Sequence, residues 1–392
     1  MLVNAFIEST LVAEFLGMVV LAGRRRMKRL GVSFLAALGV LMIGCTPSHP
    51  QSTFDPLGPV AESQLDLFWI IFGVGAFIFV AVEVALIYAA VTFRRHNEDV
   101  PRQTHGNNKL EVAWTAVPIL ILAAVAVPTI MTIFDNTNPP VSADEAAVVV
   151  DAIGHQWWFE FRYPHPDDAG KQVVFANELH VPVGETVIVR LASDDVIHSF
   201  WVPKIAGKVD MVPNNDNSLW LQADQAGTYS GQCAEFCGVA HAIMRFTLIA
   251  EPRADFDAWL RLQSTPPPEY SDPLVQEGKE VFRASGCSGC HDTNPVMNLG
   301  PDGASLMGRF GPNLAHLASR SLLAGGAFDN RDDLGQVNAS LFQANVRSWL
   351  EDPEDAKPGN LMVRRAAVYI DPAKELNEAE LSALVIYLTR LK

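Results

Sequence analysis

Basic charge and cysteine are both scarce in this 392-residue chain. Lys and Arg number 29 against 44 Asp and Glu, a formal net charge of -15. That balance excludes the basic footprint of a nucleic-acid binder. The cysteines are Cys45, Cys233, Cys237, Cys287 and Cys290. Each falls inside a motif described below, which leaves none over for a disulfide framework. Hydrophobic residues are abundant, at 49% of the chain, and the excess is concentrated in three apolar runs. The length is enough for two or three domains.

Residues 2–23, ahead of those runs, are only moderately apolar, broken by Asn4, Glu8 and Glu14. A basic cluster follows, Arg24-Arg25-Arg26-Met27-Lys28-Arg29, then the apolar run 30–44, ending at Cys45. A basic start, a short apolar run and small residues before the cut describe a secretory leader. Met42-Ile43-Gly44-Cys45 reads as a degenerate lipobox, with Cys45 becoming the lipid-modified first residue of a mature lipoprotein. A start at Met27 gives a leader of ordinary shape, so residues 1–26 read as an upstream mis-start. The competing reading is an uncleaved membrane helix, but the run is short for a span. The leader is placed at 1–45, followed by an extended polar segment.

Two membrane spans are expected, at about 67–93 and 112–134, within an anchor region 46–139. Arg94, Arg95, Arg102 and Lys109 make the connecting loop basic, which places it in the cytoplasm and both ends of the hairpin outside. Trp69, Tyr88 and Trp114 sit at the expected interfaces. Glu83 lies inside the first span, where a carboxylate is costly and faces protein.

The chemistry is concentrated in Gln232-Cys233-Ala234-Glu235-Phe236-Cys237-Gly238-Val239-Ala240-His241-Ala242-Ile243-Met244. A Cys-x3-Cys pair alone fits a zinc half-site or a disulfide. The methionine argues against zinc, since thiolate, thioether and imidazole together suit copper. His198, in Asp194-Asp195-Val196-Ile197-His198-Ser199-Phe200-Trp201, supplies a second imidazole.

On these residues the chain resembles subunit II of haem-copper cytochrome c oxidases, in the cupredoxin domain with the binuclear copper (CuA) centre. The resemblance implies that Cys233 and Cys237 bridge two coppers and that His198 and His241 bind one each. It makes Met244 and the Glu235 carbonyl weak axial ligands, and gives Glu235 a contact with a magnesium ion shared with subunit I. Gly154-His155-Gln156-Trp157-Trp158-Phe159 is a second point of resemblance. It places Trp157 where the family exposes a tryptophan for electron entrance, while Trp158 and Phe159 read as core. Lys208-Val209-Asp210-Met211-Val212-Pro213 resembles the loop facing subunit I, with Asn214-Asn215 where the family has Gly-Arg. Glu111 has two readings, the mouth of a proton path into subunit I or a helix N-terminal carboxylate favoured by the dipole.

Short strand-like runs at 146–153, 157–163, 186–191, 219–222, 227–232 and 245–249 are punctuated by Gly and Pro. They predict an antiparallel β sandwich or barrel over 140–265, closed by a short helix at 254–263.

A Pro-rich linker at 266–272 leads to a last domain, 273–392. Gly286-Cys287-Ser288-Gly289-Cys290-His291 holds C-x-x-C-H, the c-type haem attachment motif; the alternatives are a thioredoxin-like redox pair or a chance match. Gly311-Pro312-Asn313-Leu314 and Lys357-Pro358-Gly359-Asn360-Leu361-Met362 resemble the loops that orient the proximal histidine and carry the distal methionine. Asn377-Glu378-Ala379-Glu380 reads as a capping box opening a terminal helix, expected to cross a first helix at 273–284 near Gly278 and Phe282. This part resembles a class I cytochrome c. Cys287 and Cys290 then hold the haem, with His291 and Met362 as axial ligands. Met297 and Met307 are rivals for the distal place, too close in sequence to the attachment site, and His316 reads as a surface residue.

The fold class is therefore a multidomain membrane protein: a two-helix transmembrane hairpin, a β cupredoxin-like sandwich or barrel, and an all-α class I cytochrome c domain. The fusion is that of caa-type oxidases. It implies a bacterial plasma membrane protein whose copper and haem domains face the periplasm. Electrons from cytochrome c or a donor respiratory complex reach subunit I, which reduces dioxygen with proton pumping alongside other oxidase subunits. The alternative is an accessory subunit of a copper-containing nitric oxide reductase. A copper chaperone or sensor is disfavoured by the two redox motifs, and a quinol oxidase subunit by the retained copper ligands.

Overall fold

A computed structural model describes residues 49–94, 103, 105–300 and 310–392. The expected leader 1–45 with Cys45, the loop residues Arg95 and Arg102, and Met307 lie outside the described residues.

Two long apolar helices come first, α1 (Pro59–Thr92) and α2 (Asn108–Thr137). Both are long and apolar enough to cross a membrane, with mean hydropathy 2.7 and 2.4. Each is longer than its expected span, because polar turns extend it beyond the apolar run. Pro59 opens α1 at a position where its missing N–H costs nothing. Asn107 caps α2, accepting from Lys109 N at 3.0 Å and Leu110 N at 3.4 Å. The open ends of the hairpin meet where Ser63 Oγ donates to Asn136 Oδ1 at 2.9 Å. The same end is fixed to the next region. Leu57 N donates to Lys204 O at 2.7 Å, Asp224 N donates to Leu57 O at 2.9 Å, and Val60 and Ala61 are buried. Both ends of the hairpin therefore lie beside the β region. Glu83 is exposed on α1.

The β region is a sandwich of two sheets. Its strands are β1 (Val148–His155), β2 (Trp158–Pro164), β3 (Lys171–Ala176), β4 (Glu178–Pro182) and β5 (Val187–Ser193), then β6 (His198–Trp201), β7 (Val209–Met211), β8 (Asn217–Leu221), β9 (Gly227–Cys233) and β10 (Arg245–Glu251). A further strand, β11 (Val296–Asn298), arrives from the C-terminal region. One sheet runs β11-β3-β2-β1-β5-β8 and the other β4-β10-β9-β6-β7. The sheets are mixed rather than purely antiparallel, since β1 pairs parallel with β5 and β10 parallel with β4. Aromatic rings fill the space between them. Phe246 of β10 lies 4.8 Å from Phe159 of β2 and 4.8 Å from Phe200 of β6, centroid to centroid. Trp158 and Phe159 are core, as expected. Helix α3 (Arg253–Gln263) closes one end, with Trp259 stacked 3.8 Å from His180.

The C-terminal region has its own apolar core, which includes Val275, Phe282, Phe342, Val346, Leu381, Leu384 and Leu388. Its helices are α4 (Pro273–Ala284), α5 (Ala339–Glu351), the short α6 (Pro353–Ala356), α7 (Leu361–Arg365) and α8 (Ala367–Ile370), and α9 (Glu378–Leu388). The Asn377–Glu380 capping box forms as read from the sequence. Helix α9 crosses α4 at Gly278, where a Cβ would stand 2.0 Å from Ala383 O, so only glycine allows the approach. Phe282 and Tyr387 meet beside it at 5.7 Å. The region is not wholly helical. It contains the small hairpin β12 (Leu322–Leu323) and β13 (Phe328–Asp329), and it lends β11 to the sandwich, where Val296 pairs with Val173. Backbone pairing to an open sheet edge satisfies groups that a helix could not reach.

Candidate metal centre

The sandwich brings the sequence-distant ligands together at one end. His198 is the first residue of β6 and Cys233 the last of β9. These strands are neighbours, with Phe200 opposite Cys233. The chain then loops out and returns at β10, and Cys233 N donates to Met244 O at 2.9 Å. Within the loop, Cys237 precedes a 3-10 turn, His241–Ile243. Strand ends locked by ladder hydrogen bonds hold side chains more firmly than free loops do.

Cys233 Sγ and Cys237 Sγ are 3.7 Å apart and not bonded to each other. Cys233 Sγ lies 3.9 Å from His198 Nδ1 and 3.2 Å from Glu235 O. Cys237 Sγ lies 3.5 Å from His241 Nδ1 and 3.8 Å from Met244 Sδ. Two donor atoms about 2.0–2.3 Å from a shared ion at a tetrahedral angle stand roughly 3.5 Å apart. The spacings thus suit ions held between ligands. His198, Cys233 and Cys237 are buried and their ligand atoms fall within 4.8 Å of one another. Met244 is also buried, His241 and Glu235 half-buried.

Charge at the sulfurs favours a cation. Hydrogen bonding from Cys237, then from His198 and the backbone, holds the Cys233 thiol down to about 3 against its burial. Cys237 is raised well above the usual thiol range by its hydrogen bond with Cys233, and burial adds to this. The metal-free pair thus carries one proton that a metal would displace. Burial opposes charging His198, yet hydrogen bonds to Asp195 and Cys233 raise it overall.

Sequence reading missed two supports of this site. Asp195 Oδ1 lies 2.8 Å from His198 Nε2, which fixes the ring so that Nδ1 faces the sulfur. Asp195 Oδ2 also accepts from Gln156 N at 2.7 Å. A carboxylate three residues before a candidate ligand was the available signal. Gly154 is the second support: a Cβ there would stand 2.7 Å from His198 Cδ2.

Trp157 departs from expectation. It is buried, at 6% exposure, whereas the family resemblance places an exposed ring there. The C-terminal region covers it, with Lys357 Nζ donating to Trp157 O at 2.6 Å. The indole remains coupled to the sulfur loop, since Nε1 donates to Cys237 O at 3.1 Å. Asn214 adopts a left-handed φ of 59°, a conformation that asparagine tolerates better than other non-glycine residues. This accounts for Asn where the resemblance has glycine. Glu111 lies in the exposed first turn of α2.

The second pair of thiols, Cys287 and Cys290, is also free and half-buried; Cys287 opens the 3-10 turn Cys287–Gly289 and Cys290 caps its end. His291 Nδ1 lies 2.8 Å from Pro312 O, which leaves Nε2 for a ligand. Gly311 admits this ring, since a Cβ would fall 2.5 Å from His291 Cε1. Burial lowers the His291 pKa and keeps the imidazole in its metal-binding neutral form. Met362 is half-buried in α7, in a turn fixed by Asn360 Oδ1 accepting from Val363 N at 3.1 Å. Met297 lies in β11, paired with Gln172, in the sandwich edge. His316 is a correction: it is buried, at 4% exposure, with Nε2 2.8 Å from Thr265 O. Contact with the segment just after α3, through Thr265, removes it from the surface.

Comparison with known proteins gives one consistent result. Residues 51–132 match the model for the transmembrane domain of cytochrome c oxidase subunit II, and residues 167–250 that for its periplasmic domain. Cytochrome c oxidase subunit 2 of Alkalihalophilus pseudofirmus is 33% identical over 363 residues, covering 91% of this chain and 96% of the relative. The Bacillus subtilis protein of the same name is 32% identical, covering 92% and 97%. Matches of that extent cannot leave out the C-terminal region. Quinol oxidase subunit 2 of Bacillus subtilis is 33% identical but covers 64% of this chain and 78% of its own length. The crystal structure of the periplasmic domain of subunit II of cytochrome oxidase of Bradyrhizobium japonicum is 29% identical, with TM-score 0.29, covering 31% of this chain and 96% of that one.

Proposed function

The chain belongs to the cytochrome c oxidase subunit II family, the subunit through which electrons enter a haem-copper oxidase, and on that premise we propose that it carries two redox centres in series. The first is a c-type haem held by Cys287, Cys290, His291 and Met362. The second is binuclear copper held by His198, Cys233, Glu235 O, Cys237, His241 and Met244. When bound, both groups supply reversible one-electron storage.

The sulfur pair carries this reading: two unbonded thiols 3.7 Å apart, each backed by an imidazole, with Met244 Sδ at 3.8 Å. The residues around it act by holding still. Asp195 orients His198, and the β9–β10 ladder fixes Cys233 against Met244, so the ligand frame moves little when charge changes. Trp157, hydrogen-bonded to Cys237 O and to Lys357 through its own carbonyl, is one link between the C-terminal region and the sulfur loop. The exposed Phe236 and Val239, at 77% and 68%, give the loop an apolar surface for subunit I. Glu235 offers its carboxylate to a magnesium ion shared there. Glu111 is assigned the mouth of a proton path into subunit I. Glu111→Gln should then slow proton uptake by the complex, and an unchanged rate returns it to a helix-terminal role.

The two free thiols at Cys287 and Cys290, with His291 locked on Pro312 O, support covalent haem attachment. The hairpin geometry, with both ends beside the sandwich, supports copper and haem on one face of the membrane, and the basic loop assigns that face to the periplasm. Electrons then come from cytochrome c or a donor complex. The test is the full chain matured with haem and loaded with copper. Two coppers and one covalent haem per chain, with a mixed-valence two-copper EPR signal, are expected. Zinc or a single copper would overturn the binuclear assignment, and haem lost on acid extraction the covalent one.

A further inference from the structure

We propose that Lys357 is a positioning residue that clamps the C-terminal region onto the β sandwich beside the metal site. Its ammonium serves three backbone carbonyls drawn from both. Nζ donates to Trp157 O at 2.6 Å, Ala324 O at 2.7 Å and Ile243 O at 3.0 Å. Trp157 and Ile243 belong to the sandwich, and Ile243 directly precedes Met244. Ala324 belongs to the C-terminal region.

Lys357 is 4% exposed. A buried ammonium is costly unless each of its hydrogens finds an acceptor, and here three carbonyls match three hydrogens. Burial draws its pKa down to about 7, and the three carbonyl acceptors work in the opposite direction by favouring the charged form. The surrounding chain is shaped for this contact. Ala324 and Gly325 both take left-handed backbone, with φ of 54° and 67°. A Cβ at Gly325 would stand 2.6 Å from Lys357 Nζ and 2.9 Å from Trp157 O. The next carbonyl, Gly325 O, accepts from Arg245 N at 2.9 Å, so the same turn makes a second link across the joint.

Lys357 also opens the turn that carries Met362. Asn360 Nδ2 donates to Lys357 O at 2.9 Å and to Pro353 O at 2.8 Å. A Cβ at Gly359 would lie 3.1 Å from Val239 Cβ in the sulfur loop. Clamp, methionine turn and sulfur loop are thus mechanically continuous. Without the clamp, the C-terminal region stays tethered by the linker and by β11 at the far sheet edge, and its part beside Trp157 is free to move away. This rests on packing between protein groups and holds whether or not copper is bound, so its failure is separable from failure of the redox reading.

The test is hydrogen exchange on the full chain, copper-free and loaded, with Lys357→Met and Lys357→Gln. The amides that cross the joint nearest the clamp are Arg245 N and Ser321 N, the latter donating to Glu178 Oε1 at 2.7 Å. Both should exchange at least about tenfold faster in Lys357→Met, with proteolysis at residues 264–270 accelerated alike. Amides of β1 and α9 should keep wild-type protection. In the loaded chain an external reductant should reduce the C-terminal centre at its normal rate while onward transfer slows. Should Lys357→Met fail to fold, Lys357→Gln and Gly325→Ala disturb the same joint and must open it. Wild-type protection at both amides in the folded variants overturns the proposal, as does a loss spread equally over α9 and β1.

Discussion

The two cysteine pairs of this chain solve the same problem in opposite ways. Cys233 and Cys237 sit on a strand end and its loop, and the site is completed from β6, a separate part of the sandwich. Cys287, Cys290 and His291 lie within five consecutive residues on one short turn. The first pair is held by the ladder, through Cys233 N to Met244 O and the pairing of β6 with β9. The second is held by a local turn and by one long-range contact, His291 Nδ1 to Pro312 O. An assembled site depends on the whole sandwich and should tolerate few changes near its ligands. If the second pair carries haem as proposed, a local motif of this kind should keep its covalent attachment even when the region around it loosens.

The sharpest way to break that contrast is to remove one sulfur from each pair. Cys237→Ser should abolish the two-copper signal while leaving covalent haem at wild-type levels, measured by EPR and haem quantitation on one sample. The double change Cys287→Ser with Cys290→Ser should do the reverse, abolishing covalent haem and leaving copper content intact. Loss of both centres in either variant would mean that the sites are not independent in folding.

Smaller effects sharpen the comparison. Asp195→Asn keeps the size of the side chain but weakens its hold on His198. Copper affinity should fall about 10- to 100-fold, as for other residues that orient metal-bound histidines, checked by competition with a chelator. Gly154→Ala should fall in the same direction, since its methyl displaces the His198 ring. The smallest change is Gly278→Ala. The added methyl separates α4 from α9 and should destabilise the C-terminal region by about 1–3 kcal/mol. Calorimetry should show the corresponding transition moving down while copper affinity is unchanged.

Legibility in the sequence followed the same division. The sulfur loop was readable because Cys233, Cys237, His241 and Met244 are near neighbours with chemically unusual spacing. Strands rich in alternating apolar residues were readable too, as were α3, α4 and the capped α9. Strands β3, β4, β6 and β7 were not, since they are short and mix His, Lys, Asp and Gln with apolar residues. The mixed sheets, and β11 crossing from the C-terminal region, depend on pairings between distant segments that no local pattern records. The burial of Trp157 and His316 has the same origin, because each is covered by a segment far away in sequence. Lys357 was visible only as part of a methionine loop, and its three acceptors are brought together by the tertiary fold alone.

The most direct measurement follows an electron within one molecule. The full chain, loaded with haem and copper, is photoreduced at the haem and the copper absorbance is followed in time. With two centres in series and the C-terminal region docked over Trp157, copper reduction should be first order. Its rate should be independent of protein concentration and of salt. A rate that rises with protein concentration and falls with ionic strength would mean that electrons pass between separate molecules, and would contradict the tandem arrangement.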